Sequence, residues 1–444
     1  MSRPASQEAK PLVPKATIMH CLSIRLLPAL ALSLLAVAPG VAQVVIPLSP
    51  PSFQFPNQPR RLPVQRLPVQ PSATPLRQNP GRGGRRRPTG PVVPPPLPGD
   101  SDEFVNSAPT LGANGLLYVS SWNHQLQALD SKTGALRWKF VTGDILNTSP
   151  TLGTNGTVYL TSRDKNVYAL DAMTGAKKWS FATGGPLNTR PAYGGSGLLY
   201  VGTFGKRVVA LDAKTGEKRW ERATEGIPSS PVLGSDDTVY VSANNLYALN
   251  GKTGAIQWSR PLAVLPSQAP AVGANGTVYV GTADAQILAL NGVTGDTLWS
   301  FSTGHSVDYP LVMGPDDILY ASAQKLFAIR ASNGKERWER SGGGSAWSAP
   351  VIGDNGMVYA GYNDSQVYAL DATTGRTKWQ FVTNDGLLCF PSLGLDGLVY
   401  FQCQGDSKVY AVNRGTCQPR WVAAQDPLPS SVKPVVAEVP RGTR

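Results

Sequence analysis

Histidine is scarce in this 444-residue chain, which contains three, and only His124 and His305 follow residue 42. A metal centre built on histidine ligands is therefore not expected. No serine lies in a Gly-x-Ser-x-Gly elbow, so the nucleophile arrangement of the α/β-hydrolases is missing as well. Both absences favour a binding protein, with no catalytic residue and no resident metal.

Surplus positive charge is missing from most of the chain, although the net formal charge is +12. Residues 101–425 hold 26 of the 41 Lys and Arg and 25 of the 29 Asp and Glu, so this part is nearly neutral. A nucleic-acid-binding domain carries a basic patch on its folded surface. No nucleic-acid partner is expected.

One long hydrophobic run is present, residues 26–42, which follows four basic residues and ends Ala-Pro-Gly-Val-Ala. This pattern predicts a signal peptide over residues 1–42 with cleavage after Ala42. The protein would then be exported, to the periplasm, the cell surface or the medium. The alternative is an uncleaved anchor, but 17 residues interrupted by Pro28 and Pro39 are short for a membrane span.

Residues 43–100 hold 16 Pro, 8 Arg and no Lys, a composition that cannot bury a core and predicts a disordered or polyproline-like linker. Its arginine cluster, Arg82 with Arg85 to Arg87, has two interpretations. It is either a site for anionic lipid or a cell-wall polymer, or a solvated linker, which is the simpler of the two. Residues 426–444 are expected to form a flexible C-terminal tail.

Between these flanks the sequence repeats every 38 to 42 residues, which is typical of propellers and solenoids. Each repeat has a proline at its start, a tryptophan near its end and an alanine ten residues before the tryptophan. The prolines are Pro109, Pro150, Pro191, Pro231, Pro270, Pro310, Pro350 and Pro391. The tryptophans are Trp138, Trp179, Trp220, Trp258, Trp299, Trp338, Trp379 and Trp421. The alanines are Ala128, Ala169, Ala210, Ala248, Ala289, Ala328, Ala369 and Ala411.

Turn signals divide each repeat into four short antiparallel strands, A to D. In the second repeat, Asn155-Gly156 and Thr174-Gly175 mark two turns, because such pairs favour the positive φ that tight turns need. A four-stranded blade has two apolar faces that only neighbouring blades can cover. We therefore predict an all-β protein, an eight-bladed β-propeller of four-stranded antiparallel blades over residues 101–425. A solenoid is the alternative, but the last repeat lacks a polar cap.

The repeat resembles that of the quinoprotein (PQQ)-like β-propeller family, whose YALDxxTGxxxW signature occurs here as YALDAMTGAKKW and YALDATTGRTKW. The family includes PQQ-dependent dehydrogenases and BamB-like outer-membrane assembly scaffolds. The dehydrogenases carry an adjacent Cys-Cys pair beside the cofactor, whereas the cysteines here stand at 21, 389, 403 and 417. PQQ is therefore not expected. The scaffolds are lipoproteins, and no cysteine follows the apolar run at a lipidation position.

The resemblance and the missing catalytic groups together predict a non-enzymatic, exported scaffold that binds a protein partner in the bacterial cell envelope. Two alternatives stay open. One is a relative of the PQQ-dependent quinoprotein dehydrogenases, and the other is a propeller that binds cell-wall polymers or glycans. Fold alone does not choose among them.

The binding surface is expected on the face where the D-to-A connections and the B-to-C turns emerge, because these loops vary while the other turns are uniform. Exposed aromatic and arginine side chains are typical interface anchors. One interpretation of Trp347 is that it only plugs the channel. The candidate binding residues are Trp347, Tyr309, His305, Asp308, Arg190 and Trp122.

The cysteines of the last repeat predict one disulfide. Cys389 and Cys403 are equidistant from Asp396, the centre of an expected hairpin turn, so they would face each other across strands A and B in an oxidising compartment. The alternative is two buried free thiols. Cys417 replaces the turn glycine of the other repeats and is expected to stay unpaired, in a strained or redrawn turn.

Overall fold

The structure, a computed structural model, describes residues 21–23, 107–121, 123–262, 268–342, 344–346, 348–383, 389–403 and 408–424. These belong to one unit of residues 1–25 and 103–444, and a second unit of residues 26–102 lies outside them. The predicted linker and tail and nearly all of the predicted signal peptide also fall outside the described ranges. Within those ranges no helix is long and apolar enough to cross a membrane.

Within these ranges thirty-three strands form eight antiparallel sheets, each built from consecutive strands A, B, C and D. The A strands are β2 (Thr110–Leu111), β6 (Thr151–Leu152), β10 (Ala192–Tyr193), β14 (Val232–Leu233), β18 (Ala271–Val272), β22 (Val312–Met313), β26 (Val351–Ile352) and β30 (Cys389–Leu393). The B strands are β3 (Leu116–Ser120), β7 (Thr157–Thr161), β11 (Leu198–Thr203), β15 (Thr238–Ser242), β19 (Thr277–Gly281), β23 (Ile318–Ala323), β27 (Met357–Tyr362) and β31 (Leu398–Cys403).

The C strands are β4 (Gln125–Asp130), β8 (Asn166–Asp171), β12 (Arg207–Asp212), β16 (Asn245–Asn250), β20 (Gln286–Asn291), β24 (Lys325–Arg330), β28 (Gln366–Asp371) and β32 (Lys408–Asn413). The D strands are β5 (Leu136–Val141), β9 (Lys177–Ala182), β13 (Lys218–Ala223), β17 (Ile256–Pro261), β21 (Thr297–Ser302), β25 (Glu336–Arg340), β29 (Thr377–Val382) and β33 (Pro419–Ala424). The predicted eight-bladed, all-β fold is confirmed. In addition, β1 (Cys21–Ser23) pairs with β29, so the seventh sheet has five strands.

The repeated alanine lies between two aromatic residues in the strand register. In the second blade, Ala169 pairs with Tyr159 of β7 and with Trp179 of β9. The alanine methyl group leaves room for the two rings to meet, with their centroids 5.9 Å apart. A larger side chain on strand C would separate the rings. The same triad recurs in all eight blades, at ring distances of 5.7 to 6.1 Å.

The aromatic pair also joins each blade to the next. Tyr159 and Trp179 both donate to the carbonyl oxygen of Ala213, in the C–D turn of the third blade, at 2.8 and 3.1 Å. The indole N–H makes this bond at every one of the eight interfaces. Because the bonds are shielded at least in part from water and repeat around the ring, they fix the rotation of each blade relative to its neighbour.

The ring is closed directly between the last blade and the first. Tyr400 and Trp421 of blade eight both donate to the carbonyl oxygen of Ser131 in blade one, at 3.1 and 2.9 Å. One apolar cluster contains buried residues of both blades, including Leu117 and Val409. Blade eight supplies its own strand D, so closure depends on side-chain packing and not on a strand exchanged from the N-terminus. The solenoid alternative is therefore excluded.

Turn glycines lie under the tryptophans. Gly175 has a φ of +73°, and a Cβ atom there would lie 2.6 Å from the Trp138 ring, so both the conformation and the contact require glycine. In blade eight Cys417 takes this place with a φ of 59°. The turn is kept, since the Cys417 amide still donates to the Asn413 carbonyl at 3.0 Å. A non-glycine residue in the left-handed region is strained, as expected for this turn.

Both cysteines with described side chains, Cys403 and Cys417, are disulfide-bonded. Cys389 lies directly opposite Cys403 in the strand register, as expected, and the disulfide between these two stays a prediction. The expectation that Cys417 is unpaired is wrong for the chain as a whole. That expectation was made for the chain cleaved after Ala42, which does not contain Cys21.

Candidate functional site

Hydrogen bonds assign the loops of the propeller to two faces. The amide of Gly143, in a D-to-A connection, donates to the carboxylate of Asp164, in a B-to-C turn, at 2.8 Å. The amide of Ala172, in a C–D turn, donates to the carbonyl of Gly156, in an A–B turn, at 3.0 Å. We call the first face, with the D-to-A connections and B-to-C turns, the loop face, and the second the turn face.

The loop face is held by polar contacts that the loops make with each other. Asp164 also accepts a hydrogen bond from the Tyr168 hydroxyl at 2.6 Å, and Asp364 accepts the same bond from Tyr368. The guanidinium of Arg340 lies 5.1 Å from the centre of the Tyr368 ring, within the range of a cation–π contact. A surface with fixed loops loses less conformational entropy when it binds a partner.

A cavity of about 960 Å³ opens on the ring axis at the loop face. All eight residues that immediately precede the strand-opening prolines line it, and a cavity reached by all eight blades must be central. Five of these residues are Ala or Ser, which keeps the mouth wide. The eight are Ala108, Ser149, Arg190, Ser230, Ala269, Tyr309, Ala349 and Phe390.

The structure brings three of the six candidate binding residues together at this mouth: Arg190, Asp308 and Tyr309. Arg190 belongs to blade three, and the other two belong to blade six. His305 is exposed on the loop of Asp308 but does not line the cavity. Trp122 and Trp347 lie outside the described residues.

Sequence reasoning missed Phe390, Asn188 and Ser242, which also line the cavity. The position before each repeat proline would have identified Phe390, because that position is on the axis in every blade. The other two carry polar atoms that lack a hydrogen-bond partner, Asn188 Oδ1 and Ser242 Oγ. Whether a polar atom is satisfied depends on the packed structure, so no sequence signal identifies them.

Two charged groups define the electrostatics of the mouth, where Arg190 is the one cationic side chain of the lining and Asp308 the one carboxylate. Tyr309 is half-buried beside Asp308, and burial together with the negative charge of Asp308 raises its pKa to about 12. The phenol is therefore a neutral hydrogen-bond donor at physiological pH.

The lining does not present the ligands of a quinoprotein centre. Calcium takes six to eight oxygen ligands, several of them carboxylate oxygens, and Asp308 alone supplies a carboxylate to the cavity. Across the part of the chain that the structure describes, no three His, Cys, Asp or Glu residues are grouped to hold a metal. We therefore derive no chemistry from a bound quinone or metal at this site.

Comparison with solved structures finds many propellers with the same fold. BamB from Moraxella catarrhalis is 21% identical, with a TM-score of 0.52 over 62% of this chain and 87% of that chain. The quinohemoprotein alcohol dehydrogenase ADHIIG from Pseudomonas putida HK5 is 16% identical, with a TM-score of 0.58 over 69% of this chain and 70% of that chain. The computationally designed Ika8 protein is 17% identical, with a TM-score of 0.60 over 67% and 92%.

At these identities the likeness shows the fold alone, and it includes both a BamB and a dehydrogenase. No curated protein matches the chain in sequence. A family model described as "Outer membrane protein assembly factor BamB" matches residues 97–226, 182–306 and 294–435. These matches span the whole propeller and most of the chain, and the repeat that carries them is the one counted above. The protein therefore belongs to this BamB family of PQQ-like repeat propellers.

Proposed function

We propose that this protein is a non-enzymatic scaffold of the bacterial cell envelope that binds a protein partner through its loop face. The observation that carries the proposal is the contrast between the two faces. Seven of the eight blades repeat one C–D turn on the turn face, in which the Asp or Asn that ends strand C accepts the amides of the next residues, as Asp171 does from Met173 and Thr174. The loop face differs from blade to blade and opens on the central cavity.

Three further features support a protein partner. The loops of the loop face hold each other in place, which favours a preformed binding surface. The cavity mouth carries a cationic group, an anionic group and a phenol at separate positions. It therefore offers directional contacts beside apolar residues. The description of the family model names an assembly factor, and an assembly factor acts by binding other proteins. A basic linker that binds lipid or cell-wall polymer is not needed for this function.

The experiment is in-cell crosslinking and capture of the tagged full chain. The loop-face variant is Asp308→Ala with Tyr309→Ala, and the matched turn-face variant is Val293→Lys with Leu395→Lys. Val293 and Leu395 are 84% and 96% exposed, so their replacement leaves the fold intact. We expect the loop-face variant to lose at least nine tenths of the captured partner, while the turn-face variant keeps it.

Two results would overturn the proposal. One is loss of capture by the turn-face variant with full capture by the loop-face variant. The other is a wild-type protein that captures no envelope protein at all but reduces an electron acceptor when PQQ and an alcohol are supplied. Circular dichroism of both purified variants controls for folding.

A further inference from the structure

Arg190 is the one cationic side chain among the described residues that line the central cavity. It occupies the position before Pro191, where five other blades have Ala or Ser, so the side chain enters a space that the equivalent residues leave open. Its Nε donates to the hydroxyl of Thr151 in the neighbouring blade at 3.3 Å. Its backbone amide donates to Ser230 Oγ at 2.9 Å, which fixes the main chain.

The guanidinium has no ion pair with any residue in the described ranges. Its side chain is accessible to water in the lumen, yet burial lowers its pKa. The two observations are compatible because a side chain inside a channel is surrounded by protein and still wetted. Arginine keeps its proton under such conditions. The mouth therefore carries a fixed positive charge that has no counter-ion among the described residues, and a bound anion would supply one.

The residues that line the cavity around Arg190 indicate the chemistry of the rest of the ligand. Asn188 and Ser230 are partly exposed polar residues of the cavity lining, and an extended peptide carries amides and carbonyls that fit such side chains. Ile227 is 52% exposed and lines the same cavity, which suits an apolar side chain. Asp308 lies three blades away around the ring, so a second acidic group on that side is disfavoured.

We propose that Arg190 anchors an extended segment of the protein partner by pairing with the carboxylate of an Asp or Glu that has an apolar neighbour. The fork of the guanidinium matches a carboxylate with two parallel hydrogen bonds. This inference rests on the proposed protein-binding function and adds the chemistry of the partner. A free inorganic anion is the competing occupant, and the test distinguishes it.

The probe is a display library of random linear heptapeptides, selected on the full-length protein. We expect selected peptides to carry one Asp or Glu beside Val, Leu, Ile or Phe, and to bind Arg190→Gln at least tenfold more weakly than wild type. Arg190→Lys keeps the charge without the fork and is expected to lie between the two. The matched control is Arg376→Gln, an exposed arginine on the turn face, which should bind like wild type.

The inference is overturned if no peptide is selected, if the selected peptides lack acidic residues, or if Arg190→Gln binds them as well as wild type does. Displacement of the peptides by millimolar inorganic phosphate, with no effect of replacing their Glu by Gln, would assign the site to a free anion instead. In-cell capture separates the two proposals. A partner captured equally by wild type and Arg190→Gln leaves the scaffold function standing and rejects the Arg190 anchor.

Discussion

The indole N–H of Trp421 donates to the carbonyl oxygen of Ser131 at 2.9 Å and so joins residues that are 290 positions apart in the chain. The same bond joins Trp299 to Ala331 at 2.8 Å across an ordinary blade interface. Closure of the ring therefore uses the interface that the other seven pairs of blades use.

This equivalence predicts that Trp421→Phe and Trp299→Phe destabilise the protein alike. Each loses one partly buried hydrogen bond and part of a packed ring, and we expect each to lower the free energy of unfolding by about 1–2 kcal/mol. Thermal and urea unfolding measure the effect. A normal stability for Trp421→Phe beside a destabilised Trp299→Phe would show that the last interface is not formed in solution.

Two turn glycines separate the effect of backbone conformation from that of packing. Gly156 and Gly175 have φ values of +67° and +73°, but a Cβ atom at Gly156 meets nothing within 4 Å. We expect Gly156→Ala to cost about 1–2 kcal/mol for the left-handed conformation alone. Gly175→Ala should cost roughly 1–3 kcal/mol more, because its methyl group overlaps the Trp138 ring. Equal stability losses in urea unfolding would contradict the packing between blades.

The acid side of the stability profile depends on the C–D turns. The Arg219 side chain and the amides of Thr215 and Lys214 lower the pKa of Asp212 from its ordinary 3.8 to about 2. A carboxyl group whose pKa is lowered in the folded state stabilises the protein fully at pH values above its ordinary pKa. This contribution is lost as the pH falls through the pKa of the folded state. The unfolding free energy is therefore expected to decrease as pH falls from about 4 toward 2.

Asp212→Asn tests this origin with a replacement that the protein itself uses. Asn250 holds the equivalent turn in blade four by accepting the amides of Lys252 and Thr253. We expect the variant to fold, to lose about 0.5 kcal/mol or less at pH 7, as for an exposed ion pair, and to show a flatter pH dependence below pH 4. An unchanged pH dependence in chemical denaturation would assign the acid sensitivity to other groups.

Thiol counting tests the predicted export and the predicted disulfide together. Cleavage after Ala42 removes Cys21 and leaves three cysteines. With the disulfide between Cys389 and Cys403, protein purified from the envelope should begin at Gln43 and show one free thiol when denatured without reductant. Three free thiols would reject the disulfide. The absence of free thiols, together with a mass that includes residues 1–42, would reject the cleavage.

The sequence predicted the number of blades because the spacing of alanine and tryptophan survives in every repeat. It did not reveal the tyrosine of strand B, such as Tyr159, as part of the interface, because the acceptor carbonyl belongs to another blade. The proline at the start of the second repeat, Pro150, comes just before strand A, because β6 begins at Thr151. A proline lacks the amide that a strand ladder needs, and the short A strands leave the residue before it free to line the channel.

For the site, the prediction of a loop face came from variation among the loops, and the structure places Arg190, Asp308 and Tyr309 on one cavity there. That Arg190 forms no ion pair with a described residue could not be predicted, because it depends on which loops of distant blades meet at the axis. The turn at Cys417 shows a different limit. Its left-handed φ followed from the repeat, but its participation in a disulfide did not.

Site-specific photocrosslinking in living cells tests the scaffold function most directly. A benzophenone amino acid replaces Tyr309 at the cavity mouth or, as the matched control, Val293 on the turn face. The account predicts a discrete crosslinked product with an envelope protein from position 309 and none from position 293. A product from position 293 alone, or none from either position in a correctly folded protein, would contradict it.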